Sequence, residues 1–200
     1  MGKLLEIGLE KESFLLKNGE IMEPKLYGFP YDEMGFLVEI RSYPSDTHFP
    51  IMSSMQDAEL MFKLRAENLG MNLIDKPFLE VSQEFIDYIS KKYRHDDMPC
   101  YTRNIYGIKK SHHTGVMDHR VTSGIHVHFS SRNGTEVLEL PIEHIVREMD
   151  KRFSEEIEDT ERINGEWEPK AHGFEYRSLP CNTNIHKILR ESFDILRRVE

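Results

Sequence analysis

Two histidines on one face of a predicted strand have the clearest potential for chemistry. In the segment 123–130, with the sequence SGIHVHFS, His126 and His128 alternate with apolar residues. Side chains two apart on a strand share a face, so both imidazoles point one way and the apolar residues the other. Such a pair lies about 6–7 Å apart at the backbone and can reach one metal ion or anion. The alternative, that both imidazoles only bond polar neighbours, stays open for the pair alone.

Carboxylates lie among apolar residues in three further predicted strands. Glu10 and Glu12 share a face of the first strand, and Glu39 is embedded in an apolar run. The last predicted strand carries Glu175 and Arg177 on one face. If one antiparallel sheet aligns these faces with the histidines, they form a cup of four carboxylates, two imidazoles and a guanidinium. Hard oxygen ligands with one or two imidazoles suit Mg²⁺ or Mn²⁺, and such ions would hold a nucleoside triphosphate.

Each of these carboxylates also has a structural explanation. Glu10 and Glu12 are compatible with a solvent-facing edge strand that carries ordinary charges. A carboxylate in an apolar strand is costly unless a cation or a metal ion pairs with it, and Arg41 shares the face of Glu39. A salt bridge between Glu39 and Arg41 is therefore the structural alternative to a metal ligand.

The elements that must position these residues follow from turn and capping signals. Asn18-Gly19 predicts a hairpin between strands 4–17 and 20–26. Capping serines predict helices over about 53–69 and 82–93, and a proline at a first turn predicts one over about 141–157. Asn182 or Thr183 is predicted to cap the closing helix. The segment 94–120 lacks periodicity, gathers basic residues that include Arg120, and is predicted to be a long functional loop.

Composition limits the class of protein. The length of 200 residues predicts a single domain over 1–200, or one domain with insertions. With 26 basic and 35 acidic residues the net charge is −9, which argues against a nucleic-acid partner. No apolar run approaches the roughly 18 residues of a membrane span, and the early charges are not those of a signal peptide, so we expect no membrane and a cytoplasmic location. Cys100 and Cys181 are predicted to be free thiols.

Four motifs in order resemble a known family. They are Gly-x-Glu-x-Glu from residue 8, Val-Glu-Ile-x-Ser-x-Pro from residue 38, Gly-x-His-x-His from residue 124 and His-Gly-x-Glu-Tyr-Arg from residue 172. This order is similar to that of the carboxylate–amine ligases of the glutamine synthetase and glutamate–cysteine ligase superfamily. The resemblance is greatest to the compact phage-type amidoligases and spans about residues 8–180.

The resemblance implies a fold and a reaction. The fold would be α+β, a curved, mostly antiparallel sheet like the glutamine synthetase catalytic domain, with helices on its convex side. ATP and two or three Mg²⁺ or Mn²⁺ ions would lie on the concave face. ATP would phosphorylate a substrate carboxylate, and an amine would displace the phosphate to leave an amide. The 94–120 loop would then shield the acyl phosphate from water.

The resemblance also assigns roles, residue by residue. The implied metal ligands are Glu10, Glu12, Glu39, His128 and Glu175. The implied catalytic residues are Arg177, which would stabilise the transferring phosphoryl group, and Glu39. The implied nucleotide contacts are Lys170, Arg177, His126 and Arg120. Small-molecule or peptide carboxylates and amines would be the substrates, and association into homo-oligomers stays open.

Two other functions compete with the ligase. A small hydrolase or oxygenase could use His126 and His128 with a third histidine, although the spacing of the others does not identify one. A nucleotide- or peptide-binding protein without catalysis is the alternative from a different class, and retention of all four glutamates with Arg177 argues against it.

Overall fold

The computed structural model describes residues 5–32, 35–92, 102–108, 116–117, 119–131, 140–158, 160 and 162–199. Within them the strands are β1 (Leu5–Lys17), β2 (Glu20–Ile21), β3 (Leu37–Arg41), β4 (Asn72–Ile74), β5 (Phe78–Glu80), β6 (Arg103–Asn104), β7 (Val116–Met117), β8 (Arg120–Thr122), β9 (Gly124–Ser131), β10 (Glu166–Lys170) and β11 (Gly173–Pro180). The helices are α1 (His48–Asn68), α2 (Gln83–Lys92), α3 (Ile142–Arg152), α4 (Ser154–Glu158) and α5 (Ile185–Val199). The predicted α+β class with a mostly antiparallel sheet is confirmed, because the strand pairings in these ranges are antiparallel.

The long strand β1 is the centre of an eight-stranded sheet. The order is β2-β1-β9-β11-β10-β6, and β3 and β4 also pair with β1. The predicted turn joins β1 to β2, because Asn18 and Gly19 both adopt positive φ, 53° and 88°, as a two-residue hairpin turn requires. The second strand ends at Ile21 rather than 26, because Pro24 lacks a backbone N–H and begins a 3-10 helix at Pro24–Tyr27.

One face of the large sheet packs against helices. Alternate residues of three strands lie in the main core, among them Ile7, Leu9, Val127 and Phe174. They share that core with residues of α1, α3, α4 and α5, and burial of each large apolar side chain contributes about 1.5–3 kcal/mol. The predicted two-faced strands are therefore confirmed here, because the two-residue period leaves the opposite face to the polar residues.

A smaller apolar cluster bounds the opposite face of the sheet. Phe14 shares the face of Glu10 and Glu12 by the two-residue period and pairs with Leu37. Both pack with Phe36, Ile89 and Val121 in a second core. This cluster brings α2 and the three-stranded sheet β5-β8-β7 against the end of β1, so the polar residues of β1 stop where Phe14 begins.

The predicted loop over 94–120 falls mostly outside the described residues. Its described parts are 102–108, 116–117 and 119–120, and they contribute the short strands β6 and β7 and the first residue of β8. A role for this loop in shielding an intermediate stays a prediction. None of the described helices combines the length and the apolar character that a membrane crossing requires.

Lys11 is an exception on the helix-covered face of β1. Its side chain is buried, and its Nζ donates to Glu59 and Asp75, each at 2.8 Å. Burial alone would lower the pKa of Lys11, but the two carboxylates outweigh that effect and raise it. The ion pairs join β1 to α1 and to the segment after β4.

Replacement of Lys11 should therefore destabilise the protein more than loss of a surface charge. We expect Lys11→Met to lower the free energy of unfolding by about 3 kcal/mol, because it leaves two half-buried carboxylates without their cation. Lys63 is the matched control, since it faces the same Asp75 at 3.8 Å from a side chain that is 44% exposed. Lys63→Met should cost less than about 1 kcal/mol. Urea denaturation measures both, and equal losses would contradict this role of Lys11.

Candidate functional site

The strand register brings the predicted chemical residues together on one face of the sheet. Glu10 lies opposite His126 on β9 and opposite Arg41 on β3. Glu175 on β11 lies opposite His128, and it also lies opposite Glu168 on β10. We call the resulting set the polar face. Its members are Glu10, Glu12, Glu39, Arg41, His126, His128, Glu168, Lys170, Glu175 and Arg177.

Glu10, His128 and Glu175 form the part of the polar face that best fits a metal ion, which we call the metal triad. One ligand atom from each lies within 4.8 Å of the other two. Ligands of one ion at about 2.1 Å are about 3–4.2 Å apart, so a small movement of the side chains completes the site. Two carboxylates and one imidazole suit Mg²⁺ or Mn²⁺.

Glu175 is the most enclosed member of the triad. Its side chain is 1% exposed, and three donors reach it at 2.7 Å: His126 Nδ1, Lys170 Nζ and Arg177 Nη1. Burial alone would raise the pKa of Glu175, but the neighbouring charges of His126 and Arg177 outweigh it and lower that pKa. Glu175 is therefore held as a carboxylate, the form that can bind a metal ion.

Glu10 is also held in its ionised form. Burial raises its pKa, but hydrogen bonds with His126 and His128 and the charge of Arg41 outweigh it, and the net pKa is lowered. Arg41 Nε lies 2.8 Å from Glu10 Oε2, and His128 Nε2 lies 3.7 Å from the same oxygen. The triad therefore has two ionised carboxylates beside a partly exposed imidazole.

Glu39 differs from the other carboxylates in its protonation. It forms the ion pair with Arg41 that the structural alternative predicts, at 2.5 Å. Burial and the charge of Glu10 nevertheless outweigh the charge of Arg41, which is shared with Glu10, and raise the pKa of Glu39 from 4.5 to about 8. Glu39 lies on the polar face opposite Glu12 but outside the metal triad.

The two histidines occupy different positions. His128 is partly exposed and belongs to the triad, as predicted for a metal ligand. His126 is 1% exposed and lies among the carboxylates of Glu10, Glu12 and Glu175. Burial and the charge of Arg177 oppose protonation of His126, but the carboxylates outweigh both and raise its pKa from 6.5 to about 9. His126 therefore balances charge inside the polar face.

Of the predicted nucleotide contacts, Lys170, Arg177 and His126 lie on the polar face. Arg177 Nη1 donates to Glu168 at 2.9 Å as well as to Glu175. Burial alone would lower the pKa of Arg177, but the charges of these carboxylates outweigh it and raise that pKa. Arg120 lies instead in the small sheet, where its guanidinium stacks over Phe78, 4.7 Å from the ring centre.

Sequence reasoning missed two residues of the site. Glu168 accepts a hydrogen bond from Lys170 Nζ at 2.7 Å and joins the polar face because 166–170 is strand β10, which was not among the predicted strands. The two-residue spacing of Glu168 and Lys170 was the available signal. Arg162 reaches the buried end of the polar face from the segment before β10, 3.6 Å from Glu12. No periodic pattern surrounds Arg162, so the sequence carried no signal for its position.

The raised pKa of Glu39 predicts a pH-dependent stability in metal-free buffer. The folded protein binds the Glu39 proton more tightly than the unfolded chain, so this contribution is complete below about pH 4.5 and is lost as the pH rises toward about 8. Relative to Glu39→Gln, the wild type should therefore become less stable between about pH 5 and about pH 8.5 in EDTA. Denaturant titrations at both values measure this, with exposed Glu20→Gln as the control. A constant difference across this range would contradict the assignment.

Comparisons of this chain with profiles of protein families, with curated proteins and with solved structures return no match. The geometry of the polar face is therefore the basis for any functional conclusion.

Proposed function

We propose that this protein is an ATP- and divalent-metal-dependent carboxylate–amine ligase that forms an amide through an acyl phosphate. The observation that carries the proposal is the metal triad of Glu10, His128 and Glu175 beside the cations Arg177 and Lys170, on one face of an antiparallel sheet. All four motifs of the amidoligase resemblance contribute residues to that face or to its edge.

The chemistry needs few covalent contributions from the protein. In the first step an oxygen of the substrate carboxylate attacks the γ-phosphorus, and the bond to the bridging oxygen of ADP breaks. In the second, the amine nitrogen attacks the acyl carbon, the bond to the phosphate oxygen breaks, and the nitrogen loses a proton. Phosphoryl transfer depends on positioning and on positive charge around the phosphoryl oxygens.

We assign the residues of the polar face to metal binding, to positive charge near the phosphoryl group and to proton transfer. A divalent ion, when bound, would neutralise phosphate charge, and Glu10, His128 and Glu175 would hold it. Arg177 is suited to the phosphoryl group because its planar guanidinium offers several fixed donors, of which Nη1 bonds Glu168 and Glu175. Lys170 would supply a mobile point charge nearby. Glu39 lies at the exposed Arg41 edge, where a proton could be accepted from an amine.

The ligase fold of the resemblance is part of the proposal. A mostly antiparallel sheet with helices packed on its apolar face supports a glutamine-synthetase-like arrangement, in which the polar face would be the concave one. We propose a carboxylate and an amine of a small molecule or peptide as substrates.

The composition of the triad favours this proposal over an oxygenase or hydrolase with several histidine ligands. A non-haem iron site of the usual kind takes two histidines and one carboxylate, whereas the triad has the reverse ratio. His126, the partner in the His-x-His pair, is engaged by Glu175 at 2.7 Å and is buried. Preference for Mg²⁺ or Mn²⁺ over Fe²⁺ is the corresponding experimental distinction.

The first test concerns the dependence of ATP binding on metal. The wild type should bind ATP in excess Mg²⁺ and fail to bind it in EDTA, because the carboxylates repel a bare triphosphate. Calorimetric titration measures both conditions. Glu175→Gln should lose the Mg²⁺-dependent binding, whereas Glu67→Gln on the exposed side of α1 should retain it. Equal affinity with and without metal would refute the role of the triad.

The second test concerns Arg177. Arg177→Lys should bind Mg-ATP within a few-fold of the wild type but release ADP about 10³-fold more slowly, because lysine keeps the charge and loses the guanidinium fork. A screen of carboxylate and amine pairs for ADP release provides the assay. A parallel loss of affinity and turnover would make Arg177 a structural partner of Glu175 and Glu168.

A further inference from the structure

Arg162 places a guanidinium at the buried end of the polar face. Its side chain is 9% exposed, its Nε donates to the backbone oxygen of Leu179 at 3.2 Å, and its Nη2 lies 3.6 Å from Glu12 Oε2. The same nitrogen lies 3.4 Å from His126 Nε2. Arg162 therefore joins the end of β11 to a carboxylate of β1, beside the buried imidazole of β9.

Gly124 provides the space that Arg162 occupies. A Cβ atom at Gly124 would lie 1.2 Å from Arg162 Nη2 and 2.3 Å from its Cζ, so any other residue would push the guanidinium away. The backbone N–H of Gly124 also donates to Glu12 Oε2 at 2.7 Å. The missing side chain thus allows a guanidinium and a backbone donor to face the same carboxylate.

These contacts separate Glu12 from the metal triad. The resemblance implies that Glu12 is a metal ligand, but its Oε2 faces Gly124 and Arg162, and it is not a member of the triad. On the neighbouring strand β3, the residue opposite Glu12 is Glu39. Glu39 has its own partner in Arg41, and Glu12 Oε1 lies 3.6 Å from His126 Nε2. Because that imidazole is shared with Glu10 and Glu175, loss of Arg162 would leave Glu12 short of positive charge.

The backbone around Arg162 is itself anchored. The Gly165 N–H, three residues on, donates to Asp150 Oδ1 at 3.1 Å, and the Tyr176 hydroxyl donates to the same oxygen at 2.7 Å. Asp150 belongs to α3 and is buried. The segment that carries Arg162 is thus bonded to α3, which is in turn bonded to β11. This anchoring keeps the Arg162 guanidinium beside Glu12.

We propose that Arg162 supplies a permanent positive charge at Glu12 in the place of a second metal ion, so that the polar face binds a single divalent ion at the metal triad. This inference rests on the proposed function. Arg162 is a positioning residue, because it acts through Glu12 and touches no reacting atom. The charge at this end of the face is thereby independent of the metal concentration.

The number of bound Mn²⁺ ions tests the inference directly. Equilibrium titration followed by the electron paramagnetic resonance of free Mn²⁺ should give one ion per wild-type chain. Arg162→Ala should add a second ion at Glu12, with affinity at least about tenfold weaker than the first because it has fewer ligands. Gly124→Ala should do the same without removing a charge, because it displaces the guanidinium.

Two further variants separate charge from structure. Arg162→Lys should keep one ion, since an ammonium can still neutralise Glu12. Arg190→Ala, on the surface of α5 and 68% exposed at its side chain, is the matched control and should also keep one. Two ions in the wild type, or one ion in both Arg162→Ala and Gly124→Ala, would overturn the inference and leave the proposed function intact. No bound ion in the wild type would overturn both.

A metal-free measurement covers the case in which a variant is too unstable to titrate. In EDTA, Arg162→Met should lower the melting temperature, and adding Glu12→Gln should restore part of that loss, because the uncompensated charge is removed. Additive losses in this double-mutant cycle would show that Arg162 does not neutralise Glu12, and would overturn the inference.

Discussion

The structure depends on keeping several carboxylates charged on one largely buried sheet face. Burial of a carboxylate without a partner costs several kcal/mol, and like charges across neighbouring strands repel each other. Three of them each face a cation: Arg41 for Glu10, Arg177 and Lys170 for Glu175, and Arg162 for Glu12. Glu39 differs, because its pKa is raised to about 8. These cations offset the repulsion and the cost of burial, so the carboxylates can lie together on one face of the sheet.

The remaining architecture maintains that arrangement. The alternation along β1, β9 and β11 gives each strand an apolar side, which the helices cover, and a polar side. Since a register shift of one residue would exchange the two sides, burial of the apolar side also fixes the pairing of Glu10 with His126 and of Glu175 with His128. Stability of the core and geometry of the metal triad therefore come from the same pairings.

Local patterns predicted much of this site and long-range contacts account for the rest. The spacing of His126 and His128, and of Glu10 and Glu12, placed each pair on a common face, and the antiparallel sheet brings those faces together. Strand β10 was not predicted, because a proline and three charged residues are unusual in a five-residue strand. Pro169 is tolerated because the neighbouring strand β6 is short.

Other positions carried no local signal at all. Arg162 reaches Glu12 across 150 positions of sequence, and only the tertiary fold brings the two together. The different surroundings of His126, which is buried, and His128, which is partly exposed, also depend on the tertiary fold. Their common spacing on one strand face cannot predict that difference. The pairing of β8 with β5 and β7 likewise determines the surroundings of Arg120, and its contact with a nucleotide stays a prediction.

The location of a bound metal ion tests the central claim most directly. Crystals grown or soaked with Mn²⁺ and measured with anomalous scattering would locate the ion without any assumption about substrate. We expect a peak between Glu10, His128 and Glu175, with carboxylate oxygens within about 2.0–2.6 Å. A polar face without a peak at saturating Mn²⁺, or a peak bound by other residues, would contradict it.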